Sequence, residues 1–174
     1  GGRGARLHQL TDARAKPVVP FAGTLKIIDF TLSNCINSGI RRVKVLTQYK
    51  AQGLIRHVAS AWSFLDAARG EGIEVVPAQQ QQGECWYRGT ADAVHQNTEM
   101  LREGDPEFAL VLAGDHVYKM DYARLVAEHA RRDADVTIAC VEVPLEQASA
   151  LGVVDADADG RVLEFIEKPA CPVP

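Results

Sequence analysis

A glycine-rich turn followed by basic residues could bind a phosphate chain. Gly1, Gly2 and Gly4 lead to Arg6, and Lys16 follows in an Arg-Ala-Lys-Pro segment. Glycine lets backbone N–H groups approach a phosphate closely, and the basic side chains neutralise its charge. The turn is neither a P-loop nor a Gly-x-Gly-x-x-Gly dinucleotide turn, because a leucine stands where the third glycine belongs. Such a turn alone is as often an ordinary surface loop, but the second basic group favours phosphate binding.

Asp115 is the carboxylate best placed to hold a metal ion. It follows Gly114 and a run of apolar residues, 108–113, that is typical of a buried parallel strand. A carboxylate after such a strand faces the ligand crevice, and Mg²⁺ is commonly held by one or two carboxylates together with substrate phosphates. The alternative is that Asp115 only caps the next turn. The position after the strand favours the metal.

Two further segments carry groups that could contact a ligand. Residues 86–93 read Trp-Tyr-Arg-Gly-Thr-Ala-Asp-Ala, and small residues at a helix N-terminus allow a flat or anionic ligand to come close. Composition alone favours Trp86 and Tyr87 as core aromatics. Lys168 follows a predicted strand and precedes a proline that fixes the chain, although a lone lysine there is usually solvated.

Alternating strand and helix signals must position these groups. Asp29, Thr90 and Asp121 can each cap a helix, the first ending at Gly39, the second at about residue 102 and the third at about residue 132. An Asp-Gly turn at 159–160 predicts a hairpin with a strand over 162–166. The other predicted strands are 43–47, 73–77, 108–113 and 136–143. This order predicts an α/β fold with a largely parallel sheet, whose ligands gather at the carboxyl ends of the strands.

Composition argues against several classes of protein. The chain has 174 residues, 24% of them charged, and a net charge of −4, which disfavours a general nucleic-acid binder. Its mean hydropathy is −0.11, and no apolar run approaches the ~20 residues of a membrane span. The cysteines are too scattered for a zinc site or a disulfide scaffold, which favours reduced thiols in a cytoplasmic protein: Cys35, Cys85, Cys140 and Cys171.

Eight segments follow one another along the chain in the order GGRGARL, RAKP, IIDFTLSNCINSGIRR, LTQYK, PAQQ, WYRGTADAV, AGDHVYKMDY and EFIEKPA. In these segments and their order, the sequence resembles the bacterial ADP-glucose pyrophosphorylase (glucose-1-phosphate adenylyltransferase) family. The resemblance implies a Rossmann-like nucleotide-diphospho-sugar transferase fold, with a mostly parallel mixed sheet flanked by helices. It also implies that 1–174 is an incomplete catalytic domain, without the first strand and the carboxyl-terminal β-helix domain of a cytoplasmic homotetramer.

The implied reaction converts ATP and glucose 1-phosphate to ADP-glucose and pyrophosphate for glycogen synthesis, with Mg²⁺ as cofactor. Arg6, Lys16 and Asp115 are the implied catalytic residues, with Asp115 on the metal. The implied ATP-binding residues are Gly1, Gly2, Gly4, Arg6, Lys16, Gln79, Gly89 and Thr90. The implied residues of the glucose 1-phosphate pocket are Tyr87, Gly152, Glu167 and Lys168. The implied allosteric positions are Arg14, Lys26, Gln48 and Trp86.

The chemistry of that reaction suits these residue types. The attacking phosphate oxygen is already anionic, so the task is to bring two polyanions together and stabilise the leaving pyrophosphate with a metal and basic side chains. The alternatives are a non-catalytic regulatory subunit and a pyrophosphorylase that uses another nucleotide. A glycosyltransferase would need an Asp-x-Asp motif after its buried strand, and 155–157 has that spelling only within the predicted hairpin. The missing third glycine disfavours a Rossmann oxidoreductase.

Overall fold

The computed structural model describes residues 9–11, 14–79 and 86–171. The chain divides into two compact units, Gly1–Glu128 and His129–Pro174. The first unit contains a short 3₁₀-helix at Lys16–Val18, followed by α1 (Ile27–Asn37), β1 (Arg42–Thr47), α2 (Ala51–Ala61), a 3₁₀-turn at Ala67–Arg69, β2 (Gly72–Pro77), α3 (Thr90–Gln96) and α4 (Thr98–Leu101). Helix α5 (Tyr122–Arg132) ends in the second unit, which also contains α6 (Leu145–Ala148), β3 (Gly152–Ala156) and β4 (Val162–Glu167).

Strands β1 and β2 form a parallel pair, in register from Arg42 opposite Gly72 to Thr47 opposite Pro77. Parallel neighbours need a crossover connection, and α2 lies in that connection and packs on β2. Both strand predictions are confirmed within a residue. The first unit therefore has the mixed α/β character predicted from the sequence, with a parallel sheet flanked by helices.

The core of the first unit joins the short 3₁₀-helix to α1, α2 and this sheet. Its buried side chains are Val18, Ile28, Leu32, Leu54 and Val58. Partly buried valines and isoleucines of β1 and β2 pack against them. Each such aliphatic side chain contributes about 1.5–3 kcal/mol when it is fully buried. Because Val18 belongs to this cluster, the core also fixes the segment that carries Lys16.

Helix α1 starts earlier than predicted. Its first residue is Ile27 and its N-cap is Lys26, so the predicted cap at Asp29 is wrong. Asp29 lies inside the first turn, where its Oδ2 accepts a hydrogen bond of 2.7 Å from the Lys26 N–H. The predicted end is confirmed: Gly39 has φ +78°, the left-handed conformation that glycine adopts most easily after a helix.

The predicted helix from Thr90 to about residue 102 is divided into α3 and α4 at Asn97. The Asn97 amide donates to the Ala93 carbonyl at 2.7 Å and to the Tyr87 hydroxyl at 2.8 Å, so its side chain competes with the helix for backbone partners. The N-cap is Gly89 rather than the predicted Thr90. Helix α5 is confirmed, and Asp121 Oδ1 accepts from the Ala123 N–H at 3.0 Å, as its predicted capping role requires.

The predicted hairpin is confirmed in the second unit, where β3 and β4 pair antiparallel with Gly152 opposite Glu167. Gly160 in the turn has φ +77°. Asp157 Oδ1 accepts from the backbone N–H groups of Asp159 and Arg161 at 3.0 and 2.8 Å. Asp157, the second aspartate of the Asp-x-Asp sequence at 155–157, therefore stabilises the turn. This agrees with the prediction that the sequence belongs to a hairpin and is not a metal-binding motif.

The strand predictions for 108–113 and 136–143 are wrong. Among the described residues, the sheets contain β1 with β2 and β3 with β4, and neither segment joins them. Val111 is 66% exposed and Val141 81% exposed. An apolar, β-branched run becomes a strand only where a neighbouring strand completes its hydrogen bonds, and pattern alone does not supply that neighbour. In the part of the chain described, no helix is long and apolar enough to span a membrane.

Candidate functional site

Lys16 and Asp115 form an ion pair, although they lie 99 residues apart in the sequence. The Lys16 ammonium donates to Asp115 Oδ2 at 3.0 Å. The side chains are 29% and 41% exposed, so both groups remain accessible to a ligand. Two residues that were predicted separately, one for phosphate and one for metal, therefore lie together.

The backbone around Lys16 is rigidly held. Pro17 lies in the first turn of the 3₁₀-helix, where its fixed φ is compatible with the helix. Val18 and Val19 are 6% and 5% exposed, and the Val19 N–H donates to the Lys16 carbonyl at 3.1 Å. The buried side chains of Val18 and Val19 thus hold the backbone from which the Lys16 side chain reaches Asp115.

The remaining predicted residues of the phosphate turn, Gly1, Gly2, Gly4 and Arg6, lie outside the described residues. Arg14, one of the predicted allosteric positions, is exposed. Lys26, another, is half-buried and donates its backbone N–H to Asp29.

Gln48 and Gln79 follow the carboxyl ends of the parallel strands, where the sequence predicts ligands to gather. The Ala78 N–H donates to the Thr47 carbonyl at 2.6 Å, which extends the pairing of β1 and β2 to this edge. The Gln48 Oε1 atom is buried and has no hydrogen-bond partner among the described residues, whereas Gln79 is an exposed residue. The structure thus places a predicted allosteric residue and a predicted ATP-binding residue at the same edge of this sheet.

Gly89 and Thr90 begin α3. Gly89 has φ −176° and ψ −173°, an extended conformation open to any residue, so its backbone does not require glycine. A Cβ at Gly89 would meet no atom within 4 Å, which leaves room for a ligand to approach the backbone. The Asp92 carboxylate accepts from the Arg88 N–H at 2.8 Å and from the Gln96 amide at 2.9 Å. The pKa of Asp92 is lowered, chiefly by the hydrogen bond from the Arg88 N–H. The carboxylate therefore stays charged at the start of the helix.

Tyr87 and Trp86 behave differently, so the interpretation of both as core aromatics is only half correct. Tyr87 is 9% exposed and its hydroxyl accepts from Asn97. Trp86 is 55% exposed.

The predicted sugar-phosphate residues Gly152, Glu167 and Lys168 lie together in the second unit. A Cβ at Gly152 would lie 2.7 Å from Phe165 Cζ, so the hairpin accepts only glycine there without rearrangement. Lys168 has φ +49°, its N–H donates to the Leu151 carbonyl at 2.9 Å, and its ammonium contacts Glu167 Oε1 at 2.6 Å. Left-handed backbone at a non-glycine residue is costly and occurs often at functional sites.

A single accessible carboxylate is the donor that a phosphate-completed Mg²⁺ site needs. Mg²⁺ prefers oxygen ligands and usually keeps waters and substrate phosphates beside one or two carboxylates. Within the described residues, no three histidine, cysteine or acidic side chains form a metal-binding group of their own. Asp115 therefore fits a metal that arrives with a nucleotide, and Lys16 beside it balances its charge.

One buried polar cluster was missed by the sequence reasoning. Asp29 Oδ1 lies 2.7 Å from His57 Nε2 and 2.9 Å from Trp62 Nε1, and Asp29 is 4% exposed. This cluster joins α1 to α2 and the residue that ends it. His57 and Trp62 showed no sequence signal, because their spacing within α2 reveals nothing about a partner on another helix.

Comparison with known families identifies the class of protein to which the chain belongs. The family model described as "Nucleotidyl transferase" matches residues 1–174, so the chain belongs to the nucleotidyl transferase family. The chain is 60% identical over 172 residues to the glucose-1-phosphate adenylyltransferase of Nitrosospira multiformis, covering 99% of this chain and 40% of that protein. It is 59% identical over 174 residues to that of Methylococcus capsulatus, covering 100% of this chain and 41% of that protein.

The glucose-1-phosphate adenylyltransferase of Nitrosomonas europaea is 61% identical over 175 aligned residues, which cover 100% of this chain and 40% of the relative. The chain thus spans about 40% of the length of the curated relatives it matches. The aligned regions of the Methylococcus capsulatus and Nitrosomonas europaea relatives cover the whole of this chain.

Proposed function

We propose that the protein transfers the adenylyl group of ATP to glucose 1-phosphate, giving ADP-glucose and pyrophosphate. The observation that carries the proposal is the Lys16–Asp115 pair, which puts a cation and a metal-binding carboxylate at one point in a chain of the nucleotidyl transferase family. Similarity to glucose-1-phosphate adenylyltransferases along nearly the whole chain supports the choice of nucleotide and sugar.

In this reaction a phosphate oxygen of glucose 1-phosphate attacks the α-phosphorus of ATP. A new P–O bond forms there, the bond from the α-phosphorus to the α,β-bridging oxygen breaks, and pyrophosphate leaves with that electron pair. No side chain has to remove a proton from the nucleophile, because the phosphate is already ionised. Catalysis therefore depends on positioning and on neutralising charge.

The residues divide that task between them. Lys16 neutralises the triphosphate, and Asp115 would hold Mg²⁺, which when bound neutralises phosphate charge. Gln79, Gly89 and Thr90 accommodate the nucleotide. Gly152, Glu167 and Lys168 bind the sugar phosphate, and the Lys168 ammonium pairs with its anionic group. Tyr87 is a further proposed contact of the same substrate.

The wider setting follows from the same proposal. We propose a homotetrameric cytoplasmic enzyme of glycogen synthesis, whose activity effectors control through Arg14, Lys26, Gln48 and Trp86. The thiols of Cys35, Cys140 and Cys171 are free, as is usual for a reducing compartment.

The test is an assay of the full-length protein with ATP, glucose 1-phosphate and Mg²⁺, following pyrophosphate release and ADP-glucose formation. Parallel reactions with UTP and dTTP measure nucleotide choice. Faster turnover with either would overturn the choice of ATP. Nucleotide binding without turnover would show a regulatory subunit instead.

A further inference from the structure

One face of α1 is hydrogen-bonded to the backbone of the segment that carries Asp115. The Thr31 hydroxyl donates to the Ala113 carbonyl at 3.1 Å, and the Asn34 amide donates to the Tyr118 carbonyl at 3.1 Å. Further along, the Ser38 hydroxyl accepts from the Tyr122 N–H at 2.8 Å. Positions i, i+3 and i+7 lie on one face of a helix, so the contacts form a continuous row.

Two of these bonds bracket Asp115, one two residues before it and one three residues after it. The segment 113–121 belongs to no helix or sheet, so its backbone groups must find other partners. Thr31 and Asn34 are 5% and 6% exposed, which keeps competing water away from them. Loss of either donor would remove one of the two side-chain bonds that tie this backbone to α1 and would free the segment to shift.

Helix α1 is a rigid support for this task. Ile28 and Leu32 of this helix are each 2% exposed and belong to the core. At its start, Asp29 accepts hydrogen bonds from the Lys26 N–H and Trp62 and contacts His57. The same core holds Val18, so α1 determines the position of both members of the Lys16–Asp115 pair.

We propose that Thr31 and Asn34 are positioning residues that hold the Asp115 carboxylate where a nucleotide-bound metal needs it. The expected effect on turnover rests on the proposed function. The positioning role itself is argued from the two hydrogen bonds to the backbone around Asp115. A displacement of about 1 Å at a reacting group can reduce the rate up to 10²-fold. Loss of one bond should therefore act on metal-dependent turnover more than on nucleotide affinity.

The experiment compares T31V with wild type in the full-length protein. Valine keeps the shape of threonine and removes the hydroxyl donor. We expect kcat to fall about 10-fold and the Mg²⁺ concentration for half-maximal rate to rise several-fold, with the KM for ATP within about twofold. T31S, which keeps the hydroxyl, should restore most of the rate.

T98V is the matched control. Thr98 also donates its hydroxyl to a backbone carbonyl, that of His95 at 2.7 Å, but it lies on α4, away from the Asp115 segment. T98V should leave kcat and the Mg²⁺ requirement unchanged. In a D115N background, T31V should cause no further loss, because the group it positions is already removed.

A binding measurement separates this inference from the proposed function. Mn²⁺ bound by the protein with ATP and without glucose 1-phosphate, measured by electron paramagnetic resonance, should be several-fold weaker in T31V than in wild type or T98V. If wild type makes no ADP-glucose, the proposed function fails, and the Mn²⁺ measurement still decides the inference. Equal Mn²⁺ affinity of T31V and wild type would overturn it, even with a lowered melting temperature. If T31V does not fold, T31A, which also lacks the donor, is measured in its place, and wild-type Mn²⁺ affinity would again refute the inference.

Discussion

The candidate site residues of the two units are organised in contrasting ways. In the first unit, Lys16 and Asp115 come from segments 99 residues apart and meet because a shared core and helix α1 hold both. In the second unit, Gly152, Glu167 and Lys168 are placed by a single hairpin whose ends are about fifteen residues apart. The first arrangement depends on tertiary packing, and the second on local pairing. Substitutions in the two units should consequently change different kinetic constants.

The largest expected effect is on the pair itself. D115N removes the charge that would hold the metal while keeping the size of the side chain, so kcat with Mg²⁺ should fall at least about 100-fold with the fold intact. Steady-state kinetics and circular dichroism measure the two effects. D159N, at an exposed turn, is the control and should keep full activity. Near-normal turnover of D115N would rule out the metal role.

A smaller effect, confined to one substrate, is expected in the hairpin. K168A should raise the KM for glucose 1-phosphate about 10-fold and the KM for ATP less than twofold, because the lysine pairs with the sugar phosphate. K44A, which removes a lysine paired with Glu74, should change neither constant. Equal changes in both constants for K168A would contradict the assignment and remove the distinction between the two parts of the site.

Gly152 tests whether the hairpin places Lys168. In G152A the new methyl group would lie 2.7 Å from Phe165 Cζ and 3.1 Å from Glu167 Oε2, so these side chains must move, and the KM for glucose 1-phosphate should rise several-fold. Gly72 also begins a paired strand but has open space around it, so G72A should leave that constant unchanged. A wild-type constant in G152A would show that sugar-phosphate binding does not depend on the side-chain packing around Gly152.

The smallest expected effect is a pH dependence at the start of α3. Because the Arg88 N–H lowers the pKa of Asp92 below its ordinary 3.8, the charged form stabilises the folded state above that value. This stabilisation is lost as the pH falls through the lowered folded pKa. D92N should thus lower the melting temperature slightly at pH 7 and not at all well below the folded pKa.

Local patterns predicted a good part of the fold. The β-branched strands 43–47 and 73–77, the glycine that ends α1, the cap of α5 and the Asp-Gly hairpin are all confirmed. Each of these features is a turn, a cap or a short strand, and it was predictable because residues close together in the sequence determine it. The predictions for 108–113 and 136–143 failed because a strand also needs a neighbouring strand to pair with. The residues of one segment do not show whether such a neighbour is present.

By itself, the sequence determined which groups are available for chemistry: a glycine and basic turn, a carboxylate after an apolar run, and a lysine after a hairpin strand. Only the tertiary structure decided that Lys16 contacts Asp115, and that Thr31 and Asn34 support the backbone on either side of it. The reason is that hydrogen bonds and ion pairs between distant segments form where a common core brings them together. Residue spacing in the sequence predicts which side chains share a helix face, but it does not predict which segment that face contacts.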